Sequence, residues 1–159
     1  MVTRNPQDFL KALPASGKLL GLDMGGKRVG VAVCDSGRRL ATVRGVWPRP
    51  WGELKAKILA EKAANCCGVV IGFPLNMDGS LGPTATAATS VADLIEKETS
   101  LPVLLWDERL TSRQVENAYF EQRQGRQTRN SKKDSVGQID AGAAAVILQG
   151  VLDALTSSH

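Results

Sequence analysis

The sequence predicts an α/β fold on a mixed sheet, with three antiparallel strands first, parallel strands after them, and helices on the faces. Three observations carry this. Two β-type runs flank Gly25-Gly26, and a Gly-Gly pair supplies the positive φ angles of a two-residue hairpin turn. Residues 67–72 and 102–106 are short, continuous apolar runs, the signature of strands buried on both faces. Between and after these runs, apolar residues recur at helical spacing.

Residues 1–17 hold Pro6, Pro14 and Gly17 around a short segment, 8–13, with room for one or two helical turns. They read as an N-terminal extension, and residues 18–155 as the working domain. In the hairpin's second strand Val29, Val31 and Val33 share one face, and Arg28, Gly30, Ala32 and Cys34 the other. The first strand breaks the pattern. Asp23 falls on the face of Leu19 and Gly21, where a buried charge needs a partner, a proton or a metal ion. The plainer alternative is a turn carboxylate capping the Gly-Gly backbone.

Asp35-Ser-Gly-Arg38 makes a second turn and residues 39–46 a third strand. Trp47-Pro-Arg-Pro-Trp51 is a rigid connector whose tryptophans pack on the helix expected over 52–65. The buried strand at 67–72 ends in a polar loop containing Asn76 and Asp78. Pro83 then opens a helix to about residue 99. The strand at 102–106 ends on Asp107-Glu108. Thr111 with Gln114, and Ser135 with Gln138, fit capping boxes for two further helices. The segment between them, 122–133, carries no apolar side chain and reads as a solvated basic loop. Asp140 lies within the core-facing stripe of the last helix, near Val136 and Ile147. A favourable macrodipole at the helix's opening turns is the alternative account of that acid.

Composition narrows the chemistry. With 159 residues, 43% hydrophobic and 23% charged, the chain is an ordinary single globular domain. No stretch is apolar enough to span a membrane, and no apolar leader opens the chain, so a cytoplasmic protein is expected. The net charge of +4 suggests an anionic partner. The charge is also segregated. Residues 27–57 carry eight Lys/Arg against two acids, and 109–133 carry seven against two, whereas 58–108 carry seven acids against two lysines. Three cysteines, two of them adjacent, form no disulfide framework and no zinc motif. The single histidine is His159, which leaves no basis for a Ser-His-Asp or Cys-His site. Hydrolytic chemistry must rest on carboxylates, lysines or metal.

Ligands gather at the carboxyl ends of parallel strands in such sheets. Asp23 and Glu108 sit at or near such ends, and Asp140 projects from a helix that packs against the sheet. Three converging carboxylates repel one another unless a divalent cation joins them. Mg²⁺ (or Mn²⁺) binds through carboxylates, water and substrate phosphates, and paired ions assist phosphodiester hydrolysis. Neighbouring strand residues face opposite ways, which favours Glu108 over Asp107 as the acid beside Asp23.

Four motifs carry a resemblance: Gly21-Leu-Asp23-Met-Gly-Gly-Lys-Arg-Val-Gly-Val-Ala-Val33, Gly72-Phe-Pro-Leu-Asn-Met-Asp-Gly-Ser-Leu-Gly-Pro83, Asp107-Glu-Arg-Leu-Thr111 and Ile139-Asp-Ala-Gly-Ala-Ala144-Ala-Val-Ile-Leu148. In this order they resemble the YqgF/RuvX family of RNase H-like nucleases over about residues 17–153. The resemblance implies an RNase H-like fold, with Asp23, Glu108 and Asp140 matching the family's acidic, metal-holding positions. Members are described as nucleases for the 5′ end of the 16S ribosomal RNA precursor, and earlier as Holliday junction resolvases acting on branched DNA. The chain departs at Gly26, where the family usually has Thr, and at Gly142, where an aliphatic residue is commoner. Lys27, Arg28 and Arg109, beside the acids, are candidate phosphate contacts, as are Arg126, Arg129, Lys132 and Lys133 of the basic segment.

Two other readings compete. The Leu-Asp-Met-Gly-Gly strand also resembles the phosphate-binding hairpin of sugar kinases and actin-like ATPases, but those need two such domains. A non-catalytic RNA-binding factor for ribosome assembly needs only the basic segment. No heptad and no spare apolar helix face remains, so a monomer or weak dimer is expected.

Overall fold

The computed structural model describes residues 1–25, 27–73, 82–107 and 132–156, and of 73, 83, 84 and 132–141 the backbone alone. The elements in order are β1 (Val2–Thr3), α1 (Pro6–Ala12), β2 (Lys18–Met24), β3 (Arg28–Cys34), β4 (Ala41–Pro48) and α2 (Trp51–Ala63). There follow β5 (Cys66–Phe73), α3 (Pro83–Thr99), β6 (Val103–Asp107) and α4 (Lys132–Thr156). The sheet has strand order β1-β6-β5-β2-β3-β4. β2, β3 and β4 pair antiparallel, while β5 lies parallel to β2, β6 to β5, and β1 to β6. This is the mixed sheet the sequence predicts.

Strand alternation builds two cores. Leu20, Leu22, Val29, Val31, Val69, Ile71, Val103 and Leu105 bury against α2 and α3, which contribute Leu54, Ile58, Ala88 and Ile95. Leu19, Ala32, Val70, Leu104 and Trp106 face the other way and meet α4 through Ala144, Leu148, Val151 and Leu152. Asp23 belongs by alternation to this second face. It is the charged member of a β2 row that begins with the fully buried Leu19.

Three local features differ from the sequence expectation. β1 was not foreseen, because two residues are too short to show a period. α1 begins at Pro6, two residues before the expected start. Asn5 caps it by accepting from the N–H groups of Gln7 (2.8 Å) and Asp8 (3.3 Å), and Pro6 suits the first turn. The hairpin uses Gly25 for space rather than for φ. Its N–H donates to the Arg28 carbonyl at 2.9 Å, and a Cβ on it would stand 2.7 Å from that oxygen. Among the described residues the positive-φ glycines are Gly17 and Gly45. Gly26 lies outside the described residues.

The edge strand β4 is tied down at a bulge. Val31 pairs Gly45 and Ala32 pairs Val43, so Arg44 is the extra residue. Its guanidinium reaches Glu61 of α2 at 2.9 Å, and Glu61 is 7% exposed. All three cysteines are free thiols, as expected. Burial pushes the Cys66 thiol up to about 12, so it stays protonated and inert at neutral pH. Among the described residues no helix is long and apolar enough to cross a membrane.

Candidate active site

The site begins with a close approach. Gly21 lies under α4, where an added Cβ would stand 2.9 Å from Leu148 Cβ and 3.2 Å from the Ala144 carbonyl oxygen. Neither of those atoms is the far end of a flexible chain, so only glycine lets the helix come this near to the sheet. Gln149 fixes the helix's direction. Its amide accepts from the Ala41 N–H at 2.9 Å and donates to the Arg39 carbonyl at 3.1 Å. Ala41 opens β4 opposite Cys34, the last residue of β3, beside the amino end of β2. The later turns of α4 therefore cover the amino end of β2, and its earlier turns run toward the carboxyl end.

Asp23 stands two residues past Gly21 on the same face, a step of about 6.6 Å along a strand. Residue 140 stands one turn before Ala144, a step of about 6 Å along a helix. Regular strand and helix rises from the Gly21–Ala144 approach therefore carry residues 23 and 140 toward the same end of β2. The residue opposite Asp23 on β3 is Gly30. Asp23 itself is half-buried and takes part in polar interaction.

Asp107 closes β6 opposite Phe73 and is half-buried. By alternation it shares the face of Val103 and Leu105, so it points away from the face of Asp23. Lys27 and Arg28 are exposed at the tip of the β2–β3 hairpin, at the same end of the sheet as Asp23. Lys132 and Lys133 fall within the first turn of α4 rather than in a loop. Lysine is a good helix former, and nothing in Lys-Lys-Asp interrupts a helix before the expected cap at Ser135. Glu108, Arg109, Arg126 and Arg129 lie outside the described residues, as do Asn76 and Asp78. Among the described residues no three His, Cys, Asp or Glu side chains cluster with metal-site geometry.

Gly21 was in the sequence's opening motif without a role. The signal for it was a glycine inside a strand, which often marks the approach of another backbone. Gly21→Ala is expected to lower Tm by roughly 3–10 °C, since overpacking at backbone atoms costs about 1–3 kcal/mol. Gly52→Ala, where a Cβ meets nothing within 4 Å, is the control for a thermal melt.

Residues 17–154 match the RuvX family, described as Holliday junction resolvase. The chain belongs to the RuvX family. Among its relatives, an Acidiphilium cryptum protein is 42% identical, covering 98% of this chain and 96% of its own. One from Novosphingobium aromaticivorans is 41% identical over 99% of both. One from Rhodopseudomonas palustris is 44% identical over 91% of this chain and 88% of its own. Each bears the name "Putative pre-16S rRNA nuclease". Among solved structures, T. thermophilus RuvC in complex with Holliday junction substrate superposes with a TM-score of 0.59. The match has 13% identity and covers 89% of this chain and 97% of that one. This RuvX-family member therefore has the RNase H-like fold predicted from its motifs.

Proposed function

We propose that this RuvX-family chain is a divalent-metal-dependent nuclease that trims the 5′ end of the 16S ribosomal RNA precursor in the cytoplasm. The observation that carries the reading is the close packing of Gly21 against Ala144 and Leu148, which directs the turn of α4 bearing residue 140 toward the end of β2 that carries Asp23. The names of relatives at 41–44% identity supply the substrate. Asp23, Glu108 and Asp140 are the residues that would hold the cation. Their oxygens are the hard donors that Mg²⁺ or Mn²⁺ prefers, so the donor set fits the group. When bound, the cation supplies Lewis acidity for phosphodiester hydrolysis. Asp107, on the opposite face, is not the acid beside Asp23, which supports Glu108, the next residue in the chain.

The basic residues answer a problem the acids create, because three carboxylates repel a phosphate backbone. Lys27 and Arg28 at the hairpin tip, with Arg109, Arg126, Arg129, Lys132 and Lys133, draw the strand across them. Segment 122–133 has no aromatic residue, which argues against base stacking and for phosphate contact. Replacing Arg126, Arg129, Lys132 and Lys133 together with Ala should weaken RNA binding for all sequences alike. The slope of log K against log salt should shrink by roughly 0.7–0.9 per lost contact. Fluorescence anisotropy across a salt series measures it, and unchanged slopes would make the segment a solvated linker.

A second reading, resolution of branched DNA, is favoured by the likeness to a junction-bound fold and by the family description. A resolvase cuts two symmetric strands and so works as a C2 dimer. Sedimentation with a four-way junction separates the two. A monomer or weak dimer that leaves junctions intact but shortens precursor RNA supports the RNA reading. A tight dimer cutting junctions symmetrically supports the other.

A further inference from the structure

The connector Trp47-Pro-Arg-Pro-Trp51 has no place among the proposed acids or in the basic segment, yet it is anchored at both ends. Trp47 is 8% exposed and lies in the core under α2 and α3. Trp51 packs on the same core from the other side of the connector, and its indole Nε1 donates to Glu98 Oε2 at 2.7 Å. Pro48 and Pro50 fix their own φ angles, and Pro50 holds Arg49 out of the helical region. Two anchored tryptophans and two prolines thus leave the Arg49 backbone little freedom.

What this rigid segment presents is a hydrogen bond to the hairpin. Arg49 Nη1 donates to the carbonyl oxygen of Gly25, two residues past Asp23. The N–H of the same Gly25 is held by the Arg28 carbonyl at 2.9 Å, and Arg28 in turn pairs with Pro48. Gly25 is followed by a second glycine, so the chain just beyond Asp23 has the least intrinsic stiffness in the hairpin. A planar guanidinium with several fixed donors suits the task of pinning a carbonyl better than a mobile ammonium.

We propose that Arg49 is a positioning residue for Asp23, with the Trp-Pro-Arg-Pro-Trp segment as the bracket that holds it. The proposal rests on Asp23 being a metal-holding acid of a nuclease. Arg49 acts through the Gly25 carbonyl, which fixes the exit of β2 and with it the direction of the carboxylate.

The test compares wild type with Arg49→Met and Arg49→Lys by Mn²⁺ titration followed by electron paramagnetic resonance, by cleavage kinetics and by RNA binding. Loss of a group that orients a metal-holding acid typically costs about 10–100-fold in metal affinity or rate. Arg49→Met should therefore weaken Mn²⁺ binding and lower kcat by about tenfold or more, with RNA affinity and its salt slope within about twofold of wild type. Arg49→Lys should recover only part of either loss. In the metal-free protein, hydrogen exchange at the Gly25 amide should quicken in Arg49→Met. Equal Mn²⁺ affinity in wild type and Arg49→Met would overturn the proposal whether or not either protein cuts RNA. So would a loss confined to RNA affinity and salt slope, which would make Arg49 a phosphate contact, or full recovery by lysine. A wild type that binds Mn²⁺ but cuts nothing would defeat the nuclease reading alone, and the Mn²⁺ comparison would still decide the role of Arg49.

Discussion

Asp23→Asn is expected to reduce cleavage by about a thousandfold or more, which corresponds to about 4 kcal/mol of barrier, while leaving the fold intact. The substitution removes a charge at nearly constant shape. Asp23 sits on a strand that pairs with β3 through Met24 and with β5 through Leu22, with Gly21 locked beneath α4. The β2 backbone does not depend on the carboxylate. Single-turnover cleavage in saturating Mg²⁺, with a thermal melt beside it, measures both. A variant that keeps wild-type rates would remove Asp23 from the site. One that loses activity only because it melts would show a structural role instead.

Phe9→Ala carries the largest expected effect on stability. The segment before residue 18, set apart by the sequence as an extension, supplies this ring to the core under α4. Phe9 is fully buried, in one cluster with Leu104, Trp106 and Leu152. The ring also covers Gly68, where an added Cβ would lie 3.0 Å from Phe9 Cζ. Truncating such a ring costs about 3–5 kcal/mol, because the cavity between a strand and two helices cannot close without moving one of them. Urea unfolding should show a lower midpoint at an unchanged m-value. Leu40→Ala, at a residue 62% exposed, should stay within about 0.5 kcal/mol of wild type.

The mixed sheet is legible because several of its strands have a clear local pattern: alternation in β3, and continuous apolar runs in β5 and β6. What escaped is informed by long-range contact. β1 is two residues whose only reason to be extended is the free edge of β6. Phe9 looks like one apolar residue on a short helix until α4, more than a hundred residues later, closes over it. The site divides in the same way. Asp23 announced itself as a charge in a buried row, and the preference for Glu108 over Asp107 followed from strand alternation. The structure puts Asp107 on the opposite face from Asp23. Gly21 and Arg49 act through backbone atoms of distant elements, and no periodicity in the sequence signals that. The Gly-Gly pattern marks Gly25 as a turn residue for its φ angle. The structure gives the crowding of the Arg28 carbonyl as the reason instead.

The central claim is that acids at the carboxyl end of β2 cut precursor ribosomal RNA with the help of a divalent cation. The most direct measurement incubates the purified full chain with a 16S precursor transcript in Mg²⁺ and maps the 5′ ends by sequencing. The account predicts shortened 5′ ends with wild type, and none with chelator present or with Asp23→Asn. Ends that appear equally with Asp23→Asn, or a precursor left intact by wild type in both Mg²⁺ and Mn²⁺, would contradict it.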